Sequence, residues 1–179
     1  STYWVKKRVL DEFGVPWYEL PDDVNGVLYY VRAYAVHLVE PEEIAPLSPE
    51  VPAEQKRILV NLRDQRAIAF ENEREVFSTL ISSGLPGMFT PIGTFMTFHK
   101  RPSRRMFLFA GDPKMDYDFP GVPWVNYITQ DGVAMHGAYW HANWGNPMTH
   151  GCISMPTEDA KWIYRWTTPV VPFGETYHI

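Results

Sequence analysis

Short runs of β-forming residues, each ended by glycine, proline or a turn-forming cluster, recur along nearly the whole chain. Ile58-Leu59-Val60-Asn61-Leu62 alternates with period two, Arg63-Asp64-Gln65-Arg66 can reverse the chain, and Ala67-Ile68-Ala69-Phe70 returns, which predicts a hairpin. Residues 76–81 predict another strand, ended by Ser83-Gly84. Residues 124–129 and 133–136 flank Asp131-Gly132, a strong hairpin signal. That hairpin puts Ala134 and His136 on one face and leaves His136 at a strand end. Helical spacing is convincing only after Pro156. Thr157 is the expected N-cap, Glu158 and Asp159 suit the positive end of the helix dipole, and Ala160, Ile163 and Tyr164 form an apolar stripe. Thr168-Pro169 stops this helix, and Thr176-Tyr177-His178-Ile179 reads as a last strand. The expected class is mainly β with one main helix.

Elsewhere the pattern is weaker. Residues 1–40 hold β-rich runs at 9–13, 17–20, 27–31 and 36–39, with turn chemistry at Pro21-Asp22-Asp23-Val24-Asn25-Gly26. So short a segment builds too small a core to stand alone, and it reads as a β-rich N-terminal extension. It resembles a fragment of a bacterial SH3-like barrel. Residues 41–55 carry Pro41, Pro46, Pro49 and Pro52 among acids and read as a semi-rigid linker. Lys100, Arg101, Arg104 and Arg105 read as a solvated basic face. Residues 110–123, with Gly111, Pro113, Pro120, Gly121 and Pro123, read as a long ordered loop placed to act as a lid.

A length of 179 residues and 45% hydrophobic content predict one folded domain with at most a small appendage. Seven Trp and ten Tyr are many for that length, and such aromatics line clefts that grip polymers as well as filling cores. Net charge is −5 without a Lys/Arg stripe, which argues against a nucleic-acid partner. No apolar run approaches the roughly 20 residues that span a bilayer. Ser1 opens no signal-peptide pattern, so a processed or trimmed chain is expected. A single cysteine excludes an intrachain disulfide but not export.

The chemistry gathers between Met135 and Ser154. Met135-His136-Gly137-Ala138-Tyr139-Trp140-His141 and Thr149-His150-Gly151-Cys152-Ile153-Ser154 hold the only cysteine and three of the six histidines. A free thiol, with a pKa of about 8.5, carries little thiolate at neutral pH. A nearby imidazole can take its proton and later give it to a leaving amine. Gly151 allows the tight turn that aims backbone N–H groups at an oxyanion, and Gly137 lets the backbone come close beside His136. The bland alternative is a core cysteine, since free Cys is among the most buried types.

His136-Gly137, a spacer, and Thr149-His150-Gly151-Cys152-Ile153-Ser154 resemble the signature of the L,D-transpeptidase family, the YkuD-type catalytic domain. Ile58-Leu59-Val60-Asn61-Leu62 with Gln65, Ser82-Ser83-Gly84 and Thr90-Pro91-Ile92-Gly93-Thr94-Phe95 also look like segments of that domain. The resemblance covers about residues 56–179 and leaves 1–55 outside. Ser154 stands where the family more often has Asn. The resemblance implies a mixed β-sandwich or barrel with a helix after the Cys motif. It implies Cys152 as nucleophile, His136 as its base, and the Gly137 carbonyl as the group holding the imidazole. His150 and Thr149 would shape the site, and the N–H groups of Gly151 and Cys152 would form the oxyanion hole. Tyr139 and Trp140 would wall the substrate groove, with Thr149 and Ser154 also meeting the substrate. No metal or cofactor is implied. The implied partners are peptidoglycan stem peptides as donor and acceptor, with carbapenems as covalent inhibitors. The implied reaction attacks the carbonyl of the third stem residue, expels the terminal D-Ala and passes the acyl group to an amine. An extracytoplasmic location follows from that substrate.

Other readings stay open. Water as acceptor would make the chain an L,D-carboxypeptidase. His136, His141, His150 and Cys152 could supply a zinc site, although their spacing matches no common zinc motif. A catalytically inactive wall-binding module would use the N-terminal strands. Papain-like and NlpC-type hydrolases place Cys before His, whereas here His comes first.

Overall fold

The computed structural model describes residues 1–113 and 115–177. Strands β1 (Lys7–Leu10), β2 (Pro16–Pro21) and β3 (Leu28–Arg32) form an antiparallel N-terminal sheet in that order. The hairpin expected at residues 58–70 forms as β4 (Lys56–Asn61) and β5 (Arg66–Glu71), extended antiparallel by β6 (Arg74–Leu80). The third sheet holds β7 (His99–Leu108), β8 (Tyr117–Tyr127), β9 (Ala134–Gly137) and β10 (Ile153–Met155), in the order β10-β9-β8-β7. Its β9–β10 pair is parallel. Helix α1 (Thr157–Trp166) is the single α-helix among the described residues. The chain is thus mainly β with one helix, and its three sheets stay open rather than closing into a barrel.

Helix α1 covers one face of the third sheet. Ala160, Ile163 and Tyr164 are buried as their spacing requires, with Trp124, Met135, Ile153 and Met155 in the same cluster. Trp162 stacks on Phe77 of β6 at 4.2 Å, tying the helix to the second sheet. Bridges between Ser82 and Ser154 and between Gly84 and Thr149 join the chain after β6 to the third sheet.

Several local expectations are corrected. Pro156, not Thr157, precedes the first helical turn, and no side chain caps it. Residues 36–39 form no strand; Val39 packs against the core instead of pairing. Residues 110–123 are not one long loop, because β8 begins at Tyr117. Its prolines fit because pairing with β7 is irregular there, shifting register between Arg104 and Met106, with positive φ at Gly121 and Trp124. Thr176 and Tyr177 form no strand, and His178 and Ile179 lie outside the described residues. Residues 41–55 lie against α1: Glu43 pairs with Lys161 at 3.0 Å, and the Leu47 N–H donates to the Arg165 carbonyl at 3.0 Å.

The basic run is not a solvated face. Lys100 is 1% exposed, and its Nζ donates to the carbonyls of Tyr164 and Thr167 at the end of α1. It also lies 4.5 Å from the Tyr164 ring centroid. The helix C-terminus favours a cation, while burial, helped by the charge of Lys56, pulls the ammonium down to about 7. Lys100→Met keeps much of the stem but strands two carbonyls. It should cost about 2–4 kcal/mol in urea unfolding. A loss below about 0.5 kcal/mol would show that the carbonyls do not depend on the amine.

Candidate active site

Parallel pairing of β9 with β10 sets His136 beside Ser154 and Met135 beside Ile153. Cys152 immediately precedes β10. Parallel neighbours need a long crossover, and residues 138–152 supply it. That crossover carries Tyr139, Trp140, His141, Thr149 and His150.

The turn before Cys152 is fixed from within and from below. Thr149 Oγ1 donates to the Cys152 carbonyl at 2.6 Å and accepts the Gly151 N–H at 3.1 Å. Gly151 has φ +121°, a conformation that disfavours any side chain. Thr90 Oγ1 donates to the Gly151 carbonyl and accepts the Gly84 N–H, both at 2.9 Å. Thr149 N–H donates to the Ser83 carbonyl at 3.0 Å, and the Gln65 side chain binds both Ser83 N–H and Ser83 Oγ. The scattered segments that resemble the family in sequence therefore form the scaffold beneath the cysteine turn.

His136 is 4% exposed, with Nδ1 at 2.9 Å from the Gly137 carbonyl. A carbonyl only accepts, so Nδ1 carries the proton and Nε2 is the basic nitrogen. Burial pulls the imidazole down to about 4; the Gly137 carbonyl opposes this and His141 adds a little to it. Gly137 packs so closely that a Cβ there would meet Pro123 Cγ at 2.8 Å.

Cys152 is partly exposed. Burial pushes its thiol pKa up, Asp131 adds to that, and the Ala134 N–H opposes it. The resting pair is therefore a neutral thiol and a neutral imidazole at pH 7. In this arrangement Sγ lies 3.9 Å from the Gly132 carbonyl, so its hydrogen-bond partners belong to the β8–β9 turn rather than to His136. Sulfur hydrogen bonds are weak, so these contacts hold the thiol only loosely.

Aromatic side chains wall the pair. Trp140 stacks on Phe119 at 3.9 Å, meets Tyr139 edge-on at 5.0 Å, and lies 5.9 Å from the His136 ring. Tyr117 lies 4.7 Å from the His150 ring. Met106, Phe119, Tyr127, Trp140 and Cys152 pack together on Val122, Val125 and Ala134. Tyr117, Phe119 and Met106 were not foreseen as site residues. The alternation in Tyr117-Asp118-Phe119 was a strand signal, obscured by the surrounding glycines and prolines.

Other expected residues are bonded within the protein. Ser154 is fully buried, with Oγ 3.4 Å from the Ser82 carbonyl and 3.5 Å from His141 Nε2, so its hydroxyl is engaged within the scaffold. The Thr149 hydroxyl donates its one proton inside the turn, to the Cys152 carbonyl, and accepts the Gly151 N–H. The Gly151 N–H is engaged by Thr149, so only the Cys152 N–H is left of the two expected oxyanion donors. Tyr139 is exposed, with its hydroxyl bonded to the Pro120 carbonyl at 2.6 Å. The zinc alternative is not assembled. No three metal-binding side chains converge among the described residues, and His141 packs against Trp144 at 4.4 Å.

A profile of the YkuD family, described as the L,D-transpeptidase catalytic domain, matches residues 55–172, and the chain belongs to that family. YciB of Bacillus subtilis (strain 168), whose name assigns it provisionally to the L,D-transpeptidases, is 26% identical over 130 residues, covering 65% of this chain and 63% of that protein. An L,D-transpeptidase structure from Mycobacterium smegmatis is 19% identical with a TM-score of 0.61, covering 95% of this chain and 76% of that one. The structure of LdtMt1 in complex with imipenem is 22% identical with a TM-score of 0.58, covering 62% of this chain and 53% of that one. These structures share the fold. The chain spans 63% of the Bacillus relative's length and 53% of the imipenem-bound chain.

Proposed function

We propose that this chain is a peptidoglycan L,D-transpeptidase acting through a Cys152 acyl-enzyme. The observation that carries the reading is the His136 ring, locked by the Gly137 carbonyl into the tautomer with a basic Nε2, on the strand next to the only thiol. Rotation of the thiol toward the ring lets Nε2 take the S–H proton as sulfur attacks the carbonyl of the third stem residue. The carbon–nitrogen bond to the terminal D-Ala breaks, and the imidazolium returns the proton to the departing amine. An amine of a second stem, or of a protein, then takes the acyl group from sulfur, which recovers a proton. The Cys152 N–H serves the oxyanion. Tyr139, Trp140, Tyr117 and Phe119 wall the donor groove, and the β7–β8 hairpin takes the place of the expected lid loop. His150 shapes the rim. Water as acceptor would give carboxypeptidase activity from the same acyl-enzyme. A stem-peptide substrate puts the chain outside the cytoplasm.

The test is covalent capture. Imipenem should add its mass once, at Cys152, as does any strained amide that reaches an activated thiol beside an oxyanion donor. The imipenem-bound relative motivates the choice of probe. Intact-protein spectra with no adduct after long incubation, or an adduct mapped to another residue, would overturn the mechanism.

A further inference from the structure

Asp22 and Asp23, in the β2–β3 turn, grip the β7–β8 hairpin. Arg105 Nη1 lies 3.0 Å from Asp22 Oδ2, and its other nitrogens meet Asp118 at 2.6 and 2.8 Å. Arg104 Nη1 lies 3.0 Å from Asp23 Oδ2, and the Arg105 backbone N–H donates to Asp23 Oδ1 at 3.0 Å. The Asp22 side chain is 4% exposed and that of Arg105 18%, so this pair differs from the solvated ion pairs that contribute little. Burial alone would raise the Asp22 pKa, but the N–H groups of Asn25 and Val24 and the Arg105 guanidinium hold it below its ordinary value.

A second set of bonds acts at the same place. Thr2 N–H donates to the Gly121 carbonyl at 3.0 Å, Thr2 Oγ1 to the Pro102 carbonyl at 2.8 Å, and Ser103 Oγ to the Thr2 carbonyl at 2.6 Å. A Cβ on Gly121 would meet the Thr2 carbonyl oxygen at 2.6 Å. The N-terminal segment is thus fastened to both strands of the hairpin.

Strand alternation links this grip to the thiol. Asp118 lies between Tyr117 and Phe119, and Arg105 precedes Met106, so Asp118 and Arg105 face one side of the pleat and these site residues the other, while Arg104 shares the face of Met106 and bonds to Tyr127. Met106 pairs with Phe119 in register, Phe119 stacks on Trp140, and Trp140 neighbours His136.

The geometry points to residues 1–32 as a positioning element of the active site: Asp22 and Asp23 hold the β7–β8 hairpin so that Tyr117 and Phe119 orient the acyl donor over Cys152. The donor in this statement rests on the proposed function; the grip itself does not.

The experiment compares the full chain with Asp23→Arg, Arg104→Asp and the reciprocal double variant. The probes are imipenem, which must be oriented, and iodoacetamide, which reports bare thiol reactivity; amide exchange at 117–122 reports the hairpin. Each single variant should acylate about tenfold more slowly, well inside the ~10²-fold that a 1 Å misplacement can cost. Alkylation should stay at the wild-type rate and exchange at 117–122 should quicken. The double variant should recover part of the acylation rate, because it restores the ion pair but not the bond from the Arg105 N–H. Wild-type acylation in the singles, parallel loss of both thiol reactions, or a double variant no better than the worse single would overturn the proposal. If wild type itself forms no imipenem adduct, the functional reading fails separately, and unchanged exchange in the singles would then sink the grip.

Discussion

Cys152→Ala should abolish release of D-Ala from a stem tetrapeptide while leaving the fold intact. Removing the nucleophile of a covalent mechanism removes the step that divides the barrier, and losses of at least ~10⁴-fold are usual for such residues. The structure explains why stability should hardly change. Cys152 is partly exposed at the edge of a small apolar cluster, its sulfur makes only weak contacts to the Gly132 carbonyl and the Ala134 N–H, and the turn is held by the Thr149 and Thr90 hydroxyls on backbone atoms that Ala leaves in place. Thermal unfolding should therefore match wild type within the scatter of surface substitutions, about 0.5 kcal/mol. D-Ala release by the Ala variant near the wild-type rate would remove Cys152 from the mechanism.

The second large effect is at His136. His136→Ala should slow acylation by ~10²–10⁴-fold, with much less change in donor binding. The pH dependence separates a base from a prop. A base works when neutral, and burial holds this imidazole at about 4. Wild-type acylation should thus be nearly flat from pH 5 to 8 and fall as pH drops through about 4. Without His136 the rate must follow the thiolate fraction, rising about tenfold per pH unit below the thiol pKa, which burial has moved upward. Equal rates and equal slopes in the two proteins would refute the assignment and make His150 the candidate. A stability trace should accompany it. In the unfolded chain this histidine protonates at about 6.5, but in the folded chain only at about 4, so the unfolded state binds more protons between those values. Stability should fall by about 3 kcal/mol as pH drops across that window, and His136→Ala should lack this contribution.

The candidate site was more legible in the sequence than the fold around it. His136, Gly137 and Cys152 could be read because reactive residue types are rare and their spacing is short. The hairpin at Asp131-Gly132 and the stripe of α1 could be read because local periodicity sets them. The β7–β8 hairpin could not. Prolines and glycines that normally end strands sit in β8, tolerated by a register shift that depends on the partner strand. Lys100 looked solvated because charge ordinarily seeks water; two carbonyls at the end of α1, far along the chain, reverse that preference. Ser154 and Thr149 looked like substrate contacts from their place in the motif, but their hydroxyls are taken up by Ser82, Cys152 and Gly151, neighbours that only folding supplies.

Direct observation of the acyl-enzyme tests the central claim. A disaccharide tetrapeptide is mixed with the protein, the reaction is quenched in acid, and the digested peptide carrying Cys152 is weighed. The account predicts that this peptide gains the mass of the donor lacking its terminal D-Ala, that one D-Ala is released for each adduct, and that an added acceptor amine discharges it. Release of D-Ala with Cys152 never modified, or no release from a correctly folded chain, would contradict it.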